Sequence, residues 1–192
     1  VSTCSFHATK LFHSVEGGMV VARSAEIAER VRRLRNFGHN GEEKFSEFGT
    51  NGKNSELHAA MGLSVLPHVD EILEQRRMQA ETYHEVLFKA PLRLPPVNNL
   101  TWNCAYFPIV FEDEQRCIAV KTELAERGIL TRRYFYPSLN RIATDSPQSC
   151  PRAESLSERI LCLPMFHELT QKETVSIGRL IVSLCSTSSA AQ

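Results

Sequence analysis

Between residues 1 and 89 the chain offers one run with the character of a strand, residues 19–22 (Met19-Val20-Val21-Ala22), and it follows a Gly17-Gly18 turn. Around it stand one amphipathic helix, one polar loop and one long helical pattern. One strand with such neighbours does not make a self-sufficient sheet. Whatever fold these residues adopt, its sheet is not completed by them.

The helix is capped by Ser24, with Ile27, Val31 and Leu34 on one face and Gly38 as its stop. Arg30, Arg32, Arg33 and Arg35 fall in its last turns, where positive charge suits the helix dipole; the competing reading is a phosphate or nucleic-acid patch. Residues 36–54 are polar and rich in glycine, a loop long enough to suggest function. A helix then starts at Asn54 or Ser55, is reset at Pro67, and resumes to about Lys89 through Val69, Ile72, Leu73, Ala80, Tyr83 and Leu87.

From residue 90 the pattern changes to a compact alternation. Prolines and Asn98-Asn99 mark a connector over residues 90–100, followed by an aromatic, β-branched strand over residues 101–111 with Pro108 at an edge or bulge. A helix with Cys117, Ile118, Lys121, Leu124 and Ala125 along one stripe ends at Gly128, and residues 129–135 read as a further strand. Pro151 opens another helix, and Thr170 with Glu173 forms a capping box for the last one. The division expected is residues 1–89 as part of a large domain ending in a long linking helix, and residues 90–192 as a small α/β domain.

Equal numbers of basic and acidic residues, 22 each, argue against a dedicated nucleic-acid or membrane-surface binder. The six cysteines show no C-x-x-C pair and read as reduced, mostly buried thiols rather than a disulfide frame or zinc site. No apolar run approaches transmembrane length and residues 1–4 do not read as a signal peptide, so a cytoplasmic location is expected.

The chemistry-bearing stretch is Ser5-Phe6-His7-Ala8-Thr9-Lys10, with Leu11-Phe12-His13-Ser14-Val15-Glu16-Gly17-Gly18 after it. A reactive lysine attacks as the neutral amine and needs restricted motion and a nearby anion site; Ser5 and Thr9 offer hydroxyls for a phosphate. On these residues alone Lys10 also reads as an ordinary surface charge. The stretch closely resembles the lysine segment of the DegT/DnrJ/EryC1/StrS family of pyridoxal-phosphate-dependent sugar aminotransferases. Three later blocks resemble that family's signatures in order: Gly49-Thr50-Asn51-Gly52-Lys53-Asn54-Ser55-Glu56-Leu57-His58-Ala59-Ala60-Met61-Gly62-Leu63, Thr131-Arg132-Arg133-Tyr134-Phe135-Tyr136-Pro137 and Leu163-Pro164-Met165-Phe166.

The resemblance implies the C-terminal half of a type I pyridoxal-phosphate fold: the end of the large domain plus the small domain. It implies Lys10 as the lysine bonded covalently to pyridoxal 5′-phosphate and as general acid/base, Ser5 as a phosphate ligand, and Asn51 as a phosphate contact reaching a neighbouring subunit. Arg132 and Tyr134 become substrate contacts to a nucleotide diphosphate and base. The activity implied is transfer of an amino group, from glutamate, to a nucleotide-linked keto-deoxy sugar in a cytoplasmic homodimer serving polysaccharide or secondary-metabolite synthesis. Lys53 stands where many relatives have arginine, Asn54 where methionine is usual, and Cys4 where an aromatic is frequent.

The family's pyridine-pairing aspartate and ring-stacking aromatic precede the lysine segment, so the isolated chain is expected to have little or no transaminase activity. The alternative is an inactive interaction module, or one half of a split enzyme completed by an N-terminal partner. A single-stranded nucleic-acid surface at residues 132–136 is the remaining reading.

Overall fold

The computed structural model describes residues 1–96, 102–142 and 148–186. The chain divides into two compact units, Val1–Glu71 and Ile72–Gln192.

In the first unit, β1 (Ser2–Ser5) and β2 (Gly18–Val21) form a two-stranded antiparallel sheet with Ser2 opposite Val21 and Ser5 opposite Gly18. β1 has no apolar run to announce it; it forms because the glycine pair lets β2 fold back on it. A Cβ on Gly18 would lie 2.9 Å from the Cys4 carbonyl oxygen. The strand expected at residues 19–22 is present one residue earlier, yet it is exposed along its length, not buried. Two strands alone have no second layer to bury a face against.

α1 (Ala25–Leu34) starts where expected, with Ser24 Oγ accepting from the Ile27 N–H at 3.4 Å. Two of its arginines are ion-paired within the unit. Arg30 and Arg33 both pair with Glu47 of the following loop, at 2.9 and 3.6 Å. The loop over residues 36–54 is thereby tied back onto α1, with further bonds from the Thr50 N–H to the Leu34 carbonyl and from the Gly52 N–H to the Arg35 carbonyl. Gly38 has φ +83°, and a Cβ there would lie 1.7 Å from the Glu47 carbonyl oxygen, so only glycine closes this loop. α2 (Glu56–Val65) is capped by Ser55 and ends in a 3₁₀ turn, Leu66–His68, that contains Pro67.

No apolar side chain of the first unit is buried among the described residues; the buried hydrophobic residues run from Ala80 to Cys185. α2 illustrates this. Its composition is that of a buried helix, but Leu57 and Leu63 are 84% and 70% exposed.

The second unit owns the core. α3 (Val69–Leu87), which begins at the end of the first unit, supplies Ala80, Tyr83 and Leu87. β3 (Phe107–Val110) pairs antiparallel with β4 (Ile160–Leu163), and Phe107, Ile109, Leu161 and Leu163 point inward. α4 (Glu114–Glu126), α5 (Pro151–Arg159) and α6 (Gln171–Ser186) complete the unit. Gly128, φ +76°, ends α4 as its position implied, and Thr170 with Glu173 forms the capping box of α6.

Two expected strands are shorter than their patterns. Of residues 101–111 only β3 is strand (residue 101 lies outside the described residues), because Asn103 Oδ1 accepts from the Ala105 N–H and Cys104 turns to φ +52°. Residues 129–135 contribute a single bridge, Arg132 to Cys162, before the chain turns at Tyr134-Phe135. Pro108 lies within β3 opposite Cys162, whose own N–H and carbonyl bond Arg132 instead, so the missing proline donor costs no ladder bond.

Four of the cysteines, at 104, 117, 162 and 185, are buried and two, Cys4 and Cys150, are exposed; all are free thiols. No helix among the described residues is long and apolar enough to cross a membrane.

Candidate functional site

Lys10 stands in the loop that joins β1 to β2. The ladder continues into that loop through bonds from the Phe6 N–H to the Gly17 carbonyl and from the Ala8 N–H to the Val15 carbonyl, at 2.9 and 2.7 Å. Phe6 meets Phe12 edge-on, 4.8 Å between ring centres. Ser14 is buried, with its hydroxyl donating to the Glu16 carbonyl, and Gly62 of α2 leaves room for it: a Cβ there would lie 3.4 Å from the Ser14 Cβ. These contacts hold the base of the loop. Beyond them Lys10 is exposed, fixed through its backbone N–H to the His7 carbonyl, and its amine has no partner among the described residues.

Ser5 ends β1. Its Oγ accepts from the His7 N–H at 3.3 Å, which leaves the hydroxyl proton to give to a ligand. Thr9, the other hydroxyl singled out for a phosphate, is engaged by the His7 ring at 3.0 Å, and the same ring lies 3.7 Å from Glu16. The sequence left His7 out of the site; here it braces the lysine loop.

Asn51 lies at an isolated bridge to Asn36, exposed, in the stretch that follows the Glu47 clasp. Its neighbour Lys53 bonds the Asn36 side chain at 3.3 Å and sits 4.2 Å from the centre of the Phe37 ring. An open cleft of about 820 Å³ in this unit is walled by β2, α1 and the start of α2, and its charged lining residues are Arg32, Arg35, Lys53 and Glu16. None of Ser5, Lys10 and Asn51 lines it.

Arg132 and Tyr134 lie in the second unit, and the structure separates the roles of the two adjacent arginines. Arg133 is turned inward. Its Nη2 donates to Glu114 Oε1 at 2.6 Å and to the Glu158 carbonyl at 2.7 Å, while its guanidinium lies 3.6 Å from the centre of the Tyr136 ring. Arg132 is exposed, bonded only through its backbone to Cys162, and its guanidinium has no partner among the described residues. Tyr134 meets Tyr106 edge-on at 5.3 Å and Phe135 at 4.8 Å. Tyr134 and Phe135 also form one wall of a groove of about 350 Å³ that Leu139 and Leu156 continue.

Tyr106 escaped the sequence reading. The available signal was its place directly before Phe107: alternation at the start of a strand turns one of the two outward. Phe107 is fully buried and Tyr106 is 39% exposed.

The fourth block, 163–166, is held by α3. Gln79 donates to the carbonyls of Phe166 and Leu169 at 2.7 and 2.9 Å, and the Tyr83 hydroxyl donates to that of Pro164 at 3.1 Å. Burial pushes the Tyr83 phenol well above its usual range, so it stays a donor.

Comparison with known proteins gives a consistent result. The family model described as the DegT/DnrJ/EryC1/StrS aminotransferase family matches residues 1–181. A dTDP-4-amino-4,6-dideoxy-D-glucose transaminase of Shigella dysenteriae is 35% identical over 88% of this chain and 48% of its own length. Among solved structures, the aminotransferase TlmJ of Streptoalloteichus hindustanus superposes with a TM-score of 0.88 at 26% identity, over 97% of this chain and 52% of that one. DesI, crystallised in the presence of its TDP-sugar product, superposes with a TM-score of 0.84 at 29% identity, over 98% and 50%. The chain spans about half the length of the curated relatives it matches.

Proposed function

The chain belongs to the DegT/DnrJ/EryC1/StrS aminotransferase family, and we propose that it carries the lysine-bearing part of a pyridoxal-phosphate-dependent enzyme that transfers an amino group, from glutamate, to a nucleotide-linked keto-deoxy sugar. The observation that carries the reading is the Lys10 loop: a braced hairpin that presents an unpartnered amine and springs from a strand whose last residue, Ser5, keeps a hydroxyl proton to give.

That donor set fits the cofactor. Lys10 would hold its aldehyde carbon through the side-chain amine, and Ser5 its phosphate through the hydroxyl. Asn51 is placed on an anchored loop, suited to reach a second subunit. Pyridoxal phosphate, when bound, supplies an electron sink for negative charge at the donor's Cα. The Lys10 amine would act there as the general acid/base that moves the proton at the donor's Cα. Arg132 and Tyr134 hold the nucleotide, the first by charge and the second by its ring. In this reading residues 1–89 belong to the large domain and residues 90–192 to the small one.

The exposed apolar residues of the first unit support an assembled state. Leu57, Leu63 and Leu66 on and after α2, with Met19, Val20 and Val21 on β2, leave a surface that a solitary soluble unit does not usually present. We assign the exposed leucines of α2 to a homodimer contact and the exposed residues of β2 to further protein that completes the sheet. The same surface favours the second reading, an interaction module that needs a partner to act.

The deciding experiment is to add pyridoxal phosphate to the full 192-residue chain, reduce with borohydride, and map the modified residue. A single pyridoxyl adduct at Lys10, absent from Lys10→Arg, is expected. Labelling spread over surface lysines overturns the assignment.

A further inference from the structure

We propose that Tyr106, Tyr134 and Phe135 form a stacking platform for the nucleobase of the sugar nucleotide, with Tyr106 as an unassigned specificity residue and Arg132 providing charge for the phosphates. The inference rests on the nucleotide-sugar reading above and adds Tyr106 and Phe135 to the ring contact that Tyr134 makes in it.

Three aromatic rings meet at this surface, Tyr134 against Tyr106 at 5.3 Å and Tyr134 against Phe135 at 4.8 Å. Packing does not require them there. Phe135 is 66% exposed and Tyr106 39%, while the adjoining Phe107 already fills the core position with no exposure. An aromatic face left in water loses its apolar contribution to folding, so a fixed cluster of them is suited to a flat partner.

The platform is held from both sides. On one side Arg133 is buried under Tyr136 and clasped by Glu114 and the Glu158 carbonyl. On the other, Arg76 Nη1 donates to the Ala105 carbonyl at 3.1 Å, and the Asn103 side chain accepts from the Ala105 N–H at 3.1 Å. Burial lowers the Arg76 pKa. Between these anchors Cys104 takes a left-handed backbone conformation, φ +52°, rare for a residue with a side chain. The rings are therefore set in place before any ligand arrives, and a rigid tyrosine has little side-chain entropy left to lose on binding.

Charge points the same way. Arg133 and Glu114 neutralise one another, so the free positive charge of the segment belongs to Arg132, two residues from Tyr134. A ring to stack on and one unpaired guanidinium nearby match a nucleoside diphosphate. A single-stranded nucleic acid would require a longer basic track, and the chain's formal net charge is zero.

The test titrates the full chain with thymidine diphosphate and, separately, with inorganic pyrophosphate, followed by saturation-transfer NMR and calorimetry. The expected result is saturation centred on the base protons, with affinity for thymidine diphosphate falling about tenfold in Tyr106→Leu and Tyr106→Ala. Tyr106→Phe keeps it, and pyrophosphate binding is unchanged in all three variants. The proposal is overturned if the parent chain binds no thymidine diphosphate at millimolar concentration, or if Tyr106→Leu binds it like the parent. It is also overturned if oligothymidylate is strongly preferred with a steep salt dependence. Lys10 labelling is read independently. Labelling without Tyr106-dependent binding removes the platform alone; Tyr106-dependent binding without labelling removes the aminotransferase reading and leaves the platform.

Discussion

Arg133 and Glu114 join the loop at residues 131–137 to the first turn of α4 through a 2.6 Å charge-assisted hydrogen bond, with the arginine side chain only 13% exposed. Removing the carboxylate leaves a largely buried cation with two carbonyl partners. Glu114→Gln is expected to destabilise the chain by about 1 kcal/mol and Arg133→Ala by about 2 kcal/mol. Urea unfolding measures both. Arg132→Ala, whose guanidinium has no partner, is the contrast and should stay within about 0.5 kcal/mol of the parent.

Gly38 and Gly128 both have positive φ, at +83° and +76°, but differ in what surrounds them. A Cβ at Gly38 overlaps the Glu47 carbonyl, whereas one at Gly128 meets nothing within 4 Å. Gly38→Ala is expected to cost about 3 kcal/mol and to release the loop that carries Asn51. Gly128→Ala should cost about 1 kcal/mol from backbone strain alone. Hydrogen exchange at Thr50 and Gly52 shows whether the first loop has opened.

Glu154 sits in the first turn of α5 and accepts from the Cys150 N–H, the Arg141 guanidinium and the Asn140 side chain. These bonds, the backbone one first, hold its pKa at about 2. A carboxyl lowered on folding stabilises the folded state above its unfolded value, and the contribution is lost as pH falls through the folded value. Acidification from about 4.5 towards 2 should therefore loosen the start of α5. The Glu154 carboxyl resonance followed by NMR should titrate near the lower limit; a midpoint in the ordinary glutamate range would exclude the three-bond clasp.

Thiol reactivity separates the cysteines by burial. Cys4 and Cys150 should react with a disulfide reagent in the native chain, and the other four only on unfolding. In the folded chain burial also pushes the Cys162 pKa up to about 11, which leaves little thiolate there at neutral pH. Mass spectrometry of the labelled native chain reads the two sites directly.

The exposed leucines of α2 give a test of assembly. Leu57→Glu combined with Leu63→Glu places charge at two apolar positions of α2 that are in solvent. The proposed homodimer contact predicts that the parent chain sediments as a dimer and the double variant, at the same concentration, as a monomer. An unchanged sedimentation coefficient would remove α2 from the contact.

Local signals carried most of the element boundaries because their causes lie within a few residues. Ser24, Ser55, the Thr170–Glu173 box and Gly128 act on the turn they adjoin, so caps and stops were legible as written. The four motif blocks placed the chain in its family for the same reason, since each is contiguous. Tertiary contacts decided what local pattern could not. The apolar run on β2 reads as a core strand by composition, yet burial depends on a covering layer that these residues do not supply. Residues 129–135 have strand-forming side chains, but Arg133 turning in to Glu114 ends the pairing after one bridge. Two adjacent arginines are indistinguishable in sequence; the carboxylate that claims Arg133 and leaves Arg132 in water comes from α4, far along the chain. Tyr106 joins Tyr134 in the same way, across a separation that no sequence window spans.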